Sequence, residues 1–124
     1  MPTGVYNRSM SKLVSISGII TKVTDLKKTA EFYEGLGFLA TKKDDDHLAV
    51  RINWFWLEFI QAPTPKVPSG QYIYVSVDDV DEVYKDLSAK GYDFTAEPTD
   101  FPSGRREIML ADPDGYWLVF FKKI

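Results

Sequence analysis

Two short apolar runs set the frame of this chain. Gly18-Ile19-Ile20-Thr21-Lys22-Val23 and Tyr72-Ile73-Tyr74-Val75-Ser76-Val77 each read as a β-strand ending in Val. Each is followed by an Asp one residue before an aliphatic residue, Asp25-Leu26 and Asp79-Val80. Past each Asp the apolar period changes from two to that of a helix. Leu26, Ala30, Tyr33 and Leu36 form one stripe, and Val80, Val83, Tyr84 and Leu87 form the other. Asp25 and Asp79 are natural N-caps, and Gly37 and Gly91 suit the helix exits. Short strand runs follow at 38–42, 48–52 and 55–61, then at 92–96, 106–111 and 116–122. The last opens from the turn Asp112-Pro113-Asp114-Gly115, whose residue types favour a tight reversal. The halves repeat at an offset of about 54 residues, and each reads βαβββ. Pro63, Pro65, Pro68, Ser69 and Gly70 mark a linker. The expected organisation is an N-terminal extension over 1–12, a first module over 13–62, a linker over 63–70 and a second module over 71–124.

Several stretches together resemble the glyoxalase/bleomycin-resistance/extradiol-dioxygenase group, the vicinal oxygen chelate superfamily. They are residues 23–38, Val77-Asp78-Asp79-Val80-Asp81-Glu82, and Gly104-Arg105 leading to Asp112-Pro113-Asp114-Gly115. The resemblance covers roughly residues 14–122. It implies an α+β fold in which two βαβββ modules curl into an open, mixed-sheet barrel around a cleft. It also implies a homodimer, with the pairing of modules within or between chains left open.

Composition narrows the partners. The formal net charge is −3, which argues against a nucleic-acid partner. The absence of cysteine excludes disulfides and thiolate ligands. No segment is long and apolar enough for a membrane span. The polar N-terminus does not read as a secretory signal, so cytoplasmic residence is the default expectation.

Metal-using members of the resembled family take His, Gln or Glu from the first and last strands of each module. Carried onto this chain, those positions fall on Gly18, Glu58, Tyr72 and Val119. Only Glu58 offers a ligand group, because Gly and Val have no donor and a phenol keeps its proton near neutral pH. A catalytic divalent site usually employs about three protein ligands. Neither a metal nor another cofactor is therefore expected. His47 after Asp44-Asp45-Asp46 reads as a solvated hairpin, and Asp112 and Asp114 as turn formers before Ca²⁺ ligands. Gly35-Leu36-Gly37 closes a helix and is no phosphate loop.

Strand alternation assigns the faces. If Glu58 points into the cleft, so do Trp54, Trp56 and Ile60, with Leu57 and Phe59 under the helix. If Tyr72 and Val119 point inward, so do Tyr74, Ser76, Trp117 and Phe121. All three tryptophans then share the cleft face. Such a face with one carboxylate suits a planar or cationic ligand, while filling of the barrel or a buried subunit interface would use the same aromatics. Arg105 or Arg106 could clamp an anionic group, or form a surface pair on a hairpin. The expected function is a metal-independent binding protein that sequesters an aromatic or cationic drug or metabolite. The predicted contacts are Trp54, Trp56, Glu58, Tyr72, Tyr74, Arg105, Trp117 and Val119. The alternatives are a glyoxalase- or dioxygenase-like lyase or isomerase with Glu58 as general base and Tyr72 as acid, and a purely structural module.

Overall fold

The computed structural model describes residues 13–62 and 72–124. The expected N-terminal extension and linker thus lie outside the described residues. Each half forms the expected βαβββ unit. The first comprises β1 (Gly18–Val23), α1 (Leu26–Leu36), β2 (Leu39–Lys43), β3 (His47–Ile52) and β4 (Phe55–Gln61). The second comprises β5 (Tyr72–Ser76), α2 (Val80–Ala89), β6 (Thr99–Phe101), β7 (Arg105–Ala111) and β8 (Trp117–Lys123).

The helices begin where polar caps take up free amides. The Asp25 side chain accepts from the Lys28 amide, and Asp79 accepts from that of Glu82. Helix α1 ends on Gly37 in the left-handed region, where a side chain would be strained. Tyr92 closes a second contact at this end. Its hydroxyl donates to the Phe32 carbonyl at 2.7 Å, in space that exists because residue 35 is glycine.

Two four-stranded sheets result, ordered β1-β4-β3-β2 and β5-β8-β7-β6. In each, the first strand pairs in parallel with the last, and the other pairings are antiparallel. Among the described residues the two sheets share no strand pairing, so β1 and β5 are both sheet edges and the barrel is open. Leu57 and Phe59 from β4, and Leu118 and Phe120 from β8, bury with helix residues Ala30, Tyr33, Val80 and Leu87 in one core cluster.

One expected strand is absent. Residues 92–96 do not form a ladder, and β6 begins only at Thr99. Phe94 packs against Tyr84 and Phe120, and Pro98 follows two residues after the run. Tyr92 packs on Phe32 of α1, and one backbone bond, from the Thr95 amide to the Met109 carbonyl, ties the stretch to β7 before β6 begins.

The turn at Asp112 clasps the two modules. One Asp112 oxygen accepts from the amides of Asp114 and Tyr116, and the other accepts from the Tyr33 hydroxyl at 2.7 Å. The Tyr116 hydroxyl donates to the Lys22 carbonyl, and Asp114 accepts from the Thr24 amide and hydroxyl. Burial pushes the Tyr33 phenol well above its usual range, with the nearby Asp112 charge adding to the effect. It also pushes the Asp112 carboxyl up, although the hydrogen bonds from Tyr33, Tyr116 and Asp114 oppose this.

Candidate functional site

Register defines the helix-free face of each sheet. On the first sheet Trp56 lies opposite Gly18 and Arg51, and Glu58 lies opposite Ile20 and Ala49. On the second sheet Trp117 lies opposite Tyr72, Val119 opposite Tyr74 and Met109, and Phe121 opposite Ser76 and Glu107. Because Leu57, Phe59, Leu118 and Phe120 go into the core, their alternating neighbours Trp56, Glu58, Trp117 and Val119 face away from the helices.

Gly18 and Trp56 are in intimate contact. A Cβ built on Gly18 would lie 2.2 Å from Trp56 Cδ2 and 2.4 Å from the Trp56 carbonyl oxygen. The indole thus occupies the space into which a ligand side chain at position 18 would grow. Glu58 is half-buried, between Ile20 and Ala49 across the sheet and Trp56 and Ile60 along the strand. With glycine, tyrosine and valine at the other three positions, this donor set does not fit a divalent ion.

On the second sheet the aromatics pack together. Tyr72 and Trp117 stack at 6.4 Å and 19°, and Tyr74 meets Phe121 edge to face at 5.6 Å. The Arg105 guanidinium lies 5.1 Å from the Tyr74 ring centre and 6.0 Å from that of Phe121. Its Nε donates to Glu107 at 2.7 Å. That hydrogen bond pushes the Arg105 pKa further up, against burial.

Several expectations change here. Trp54 is not a strand residue: it sits in the β3–β4 turn beside Asn53, which has φ 61°, and is 59% exposed. The turn ends the alternation that would have fixed its direction. Val119 faces the aromatic side but is only 1% exposed, so a ligand would meet the rings around it. Arg105 is on the expected face yet already paired with Glu107, a residue the linear reading missed. An i, i+2 charge pair on one strand face was the available signal. Arg106 points the other way, to Asp81 at 2.8 Å and Asp100 at 2.9 Å.

The His47 hairpin is built as a turn. Asp44 accepts from the amides of Asp46 and His47, and His47 Nδ1 lies 3.1 Å from Asp46. Asp44, Asp46 and His47 do place ligand-type atoms within 4.8 Å of one another, in exposed or half-exposed positions. A cavity of about 490 Å³ lies nearby, between α1 and the β2–β3 hairpin. A second, of about 460 Å³, lies against β5 and the ends of β1 and β4.

Comparison with known proteins agrees with this architecture. The family model for the Glyoxalase/Bleomycin resistance protein/Dioxygenase superfamily matches residues 16–120. A bleomycin-binding protein, solved in complex with bleomycin, superposes with a TM-score of 0.71 at 24% identity, covering 90% of this chain and 100% of that one. The bleomycin resistance determinant encoded on transposon Tn5 gives 0.73 at 24% identity, covering 89% and 98%. A glyoxalase/bleomycin resistance protein/dioxygenase from Nocardioides gives 0.77 at 21% identity, covering 94% and 88%. At these identities the likeness is one of fold. CFP32 of Mycobacterium bovis, which carries a glyoxylase name, is 39% identical over 56 residues, or 45% of this chain. The chain spans only 22% of that curated relative's length. The repeated βαβββ units, their open sheets and the match over residues 16–120 establish that this chain belongs to the glyoxalase/bleomycin resistance protein/dioxygenase superfamily.

Proposed function

We propose that this chain is a metal-independent small-molecule binding protein, which sequesters an aromatic or cationic drug or metabolite against its helix-free aromatic faces. The observation that carries the reading is the Trp56 indole lying over Gly18. An aromatic surface takes the place of a ligand side chain, and Glu58 is a carboxylate two residues along the same strand face. Aromatic stacking contributes about 0.5–1.5 kcal/mol per pair beyond burial. A cation over an indole contributes about 0.5–2 kcal/mol. Added to the burial of a ring system, a few such contacts reach the roughly 8 kcal/mol of a micromolar complex. Arg105 already occupies the Tyr74 and Phe121 rings, so the cationic preference rests on Trp56 and Glu58.

Ile20, Tyr72 and Tyr74 are each about half exposed in the single chain. Apolar surface of this kind favours cover by a second copy, with the ligand held between helix-free faces. The bleomycin-binding protein and the bleomycin resistance determinant among the neighbours support a small-molecule role without fixing the ligand. The test is elemental analysis of untagged protein combined with melting in chelator and in divalent ions. Substoichiometric metal and unchanged melting are expected. Near one ion per chain, with loss of stability in chelator, would overturn the reading.

A further inference from the structure

The repeat is unequal at its two inter-module contacts, and the inequality leaves a cavity. Trp56 pairs with Gly18 and Trp117 with Tyr72, so Phe55 and Tyr116 are counterparts. By the same register Lys22 and Ser76 are counterparts, opposite Ile60 and Phe121. On one side the Tyr116 hydroxyl donates to the Lys22 carbonyl, and the Asp112–Gly115 turn closes over β1. On the other side Phe55 has no hydroxyl to reach Ser76. There the space of about 460 Å³ remains, lined by Ile19, Phe55, Leu57, Ile73 and Val75.

Its chemistry differs from that of the helix-free faces. No charged side chain lines it among the described residues. Its polar residues are Asn53 and, on β5, Tyr72, Tyr74 and Ser76, and β5 ends its sheet among the described residues. The Val77 amide is taken by Phe121, so alternation turns the backbone groups of Tyr74 and Ser76 toward the unpaired edge. A mostly apolar cavity of a few hundred Å³ with a few convergent polar groups has the character of a small-molecule site.

We infer that this cavity is a second binding site, selective for an uncharged aromatic molecule carrying one hydrogen-bonding group that pairs with the β5 edge. A charged ligand would lose its hydration there without gaining a counter-charge. The cavity borders the Trp117 surface at Tyr72 and Tyr74, which line it too, but its apolar wall belongs to Ile19, Phe55, Leu57, Ile73 and Val75, and the inference does not depend on the function proposed for the helix-free faces.

The probe is N-phenyl-1-naphthylamine, uncharged and bearing one N–H, with thioflavin T as the cationic aromatic counterpart. N-phenyl-1-naphthylamine fluorescence is expected to rise and shift to the blue on titration with the protein. Val75→Phe, which fills the cavity, is expected to weaken that binding by at least about tenfold and to leave thioflavin T within about twofold. Ile52→Trp fills the mouth from a residue that is 43% exposed, and serves if Val75→Phe does not fold. Absence of N-phenyl-1-naphthylamine binding, affinity unchanged in a folded filling variant, or displacement of this dye by thioflavin T would each overturn the inference. Thioflavin T failing to bind while N-phenyl-1-naphthylamine binds would count against the proposed function alone.

Discussion

The indole of Trp56 lies over the backbone of Gly18, where a Cβ would come within 2.2 Å of the ring. Glycine at this position is therefore a packing requirement of the aromatic face. Gly18→Ala should destabilise the fold by about 1–3 kcal/mol, the usual cost of overpacking. In a Trp56→Ala background the penalty should shrink without vanishing, because the Trp56 carbonyl oxygen is also only 2.4 Å away. A double-mutant cycle by urea unfolding measures this coupling. Strictly additive effects would show that the ring and the glycine do not constrain each other.

A second glycine has the opposite context. Gly35 lies inside α1, where alanine is ordinarily favoured by about 1 kcal/mol. A Cβ there would meet the Tyr92 hydroxyl at 2.3 Å and dislodge it from the Phe32 carbonyl. Gly35→Ala should therefore destabilise the native chain, yet stabilise a Tyr92→Phe variant by about 0.5–1 kcal/mol. The change of sign, read from melting temperatures, is the outcome to look for.

The Tyr33–Asp112 hydrogen bond links α1 to the turn before β8 from within the core. Tyr33→Phe leaves one buried Asp112 oxygen without this donor, at a cost of about 1–3 kcal/mol. Hydrogen exchange of the Tyr116 amide should quicken as the turn loosens. An unchanged melting temperature would mean that the clasp contributes nothing to module packing.

Arg106 binds Asp81 and Asp100 on the surface, and its hydrogen bond holds the Asp81 carboxyl below the ordinary aspartate range. The folded pKa lies below the unfolded one. The pair's contribution is thus present above the unfolded pKa of about 3.9, and is lost as pH falls through the folded value. Carboxyl NMR should show Asp81 titrating lower than an unpaired aspartate, and Arg106→Gln should move it back up. No movement would remove Arg106 as the cause.

Much of this architecture was legible in the linear chain because local chemistry and global fold agree. Asp25 and Asp79 cap the helices they were expected to cap, and β4 and β8 bury the alternating residues assigned to the core. Residues 92–96 differ from expectation because Tyr92 packs on α1 and Phe94 on α2 and β8, and neither enters a ladder. Trp54 departs from the alternation because it lies in the turn with Asn53, before β4 begins at Phe55. The filled state of Arg105 was hidden for another reason. Glu107 is two residues along the same strand, but Tyr74 on β5 and Phe121 on β8 meet the guanidinium only through the folded register.

The most direct test is the affinity of chelator-treated protein for an aromatic cation, followed by tryptophan fluorescence in wild type and Glu58→Gln. The account predicts micromolar binding that chelator leaves unchanged and that weakens by about tenfold when the Glu58 charge is removed. Binding that appears only when a divalent ion is restored would contradict it.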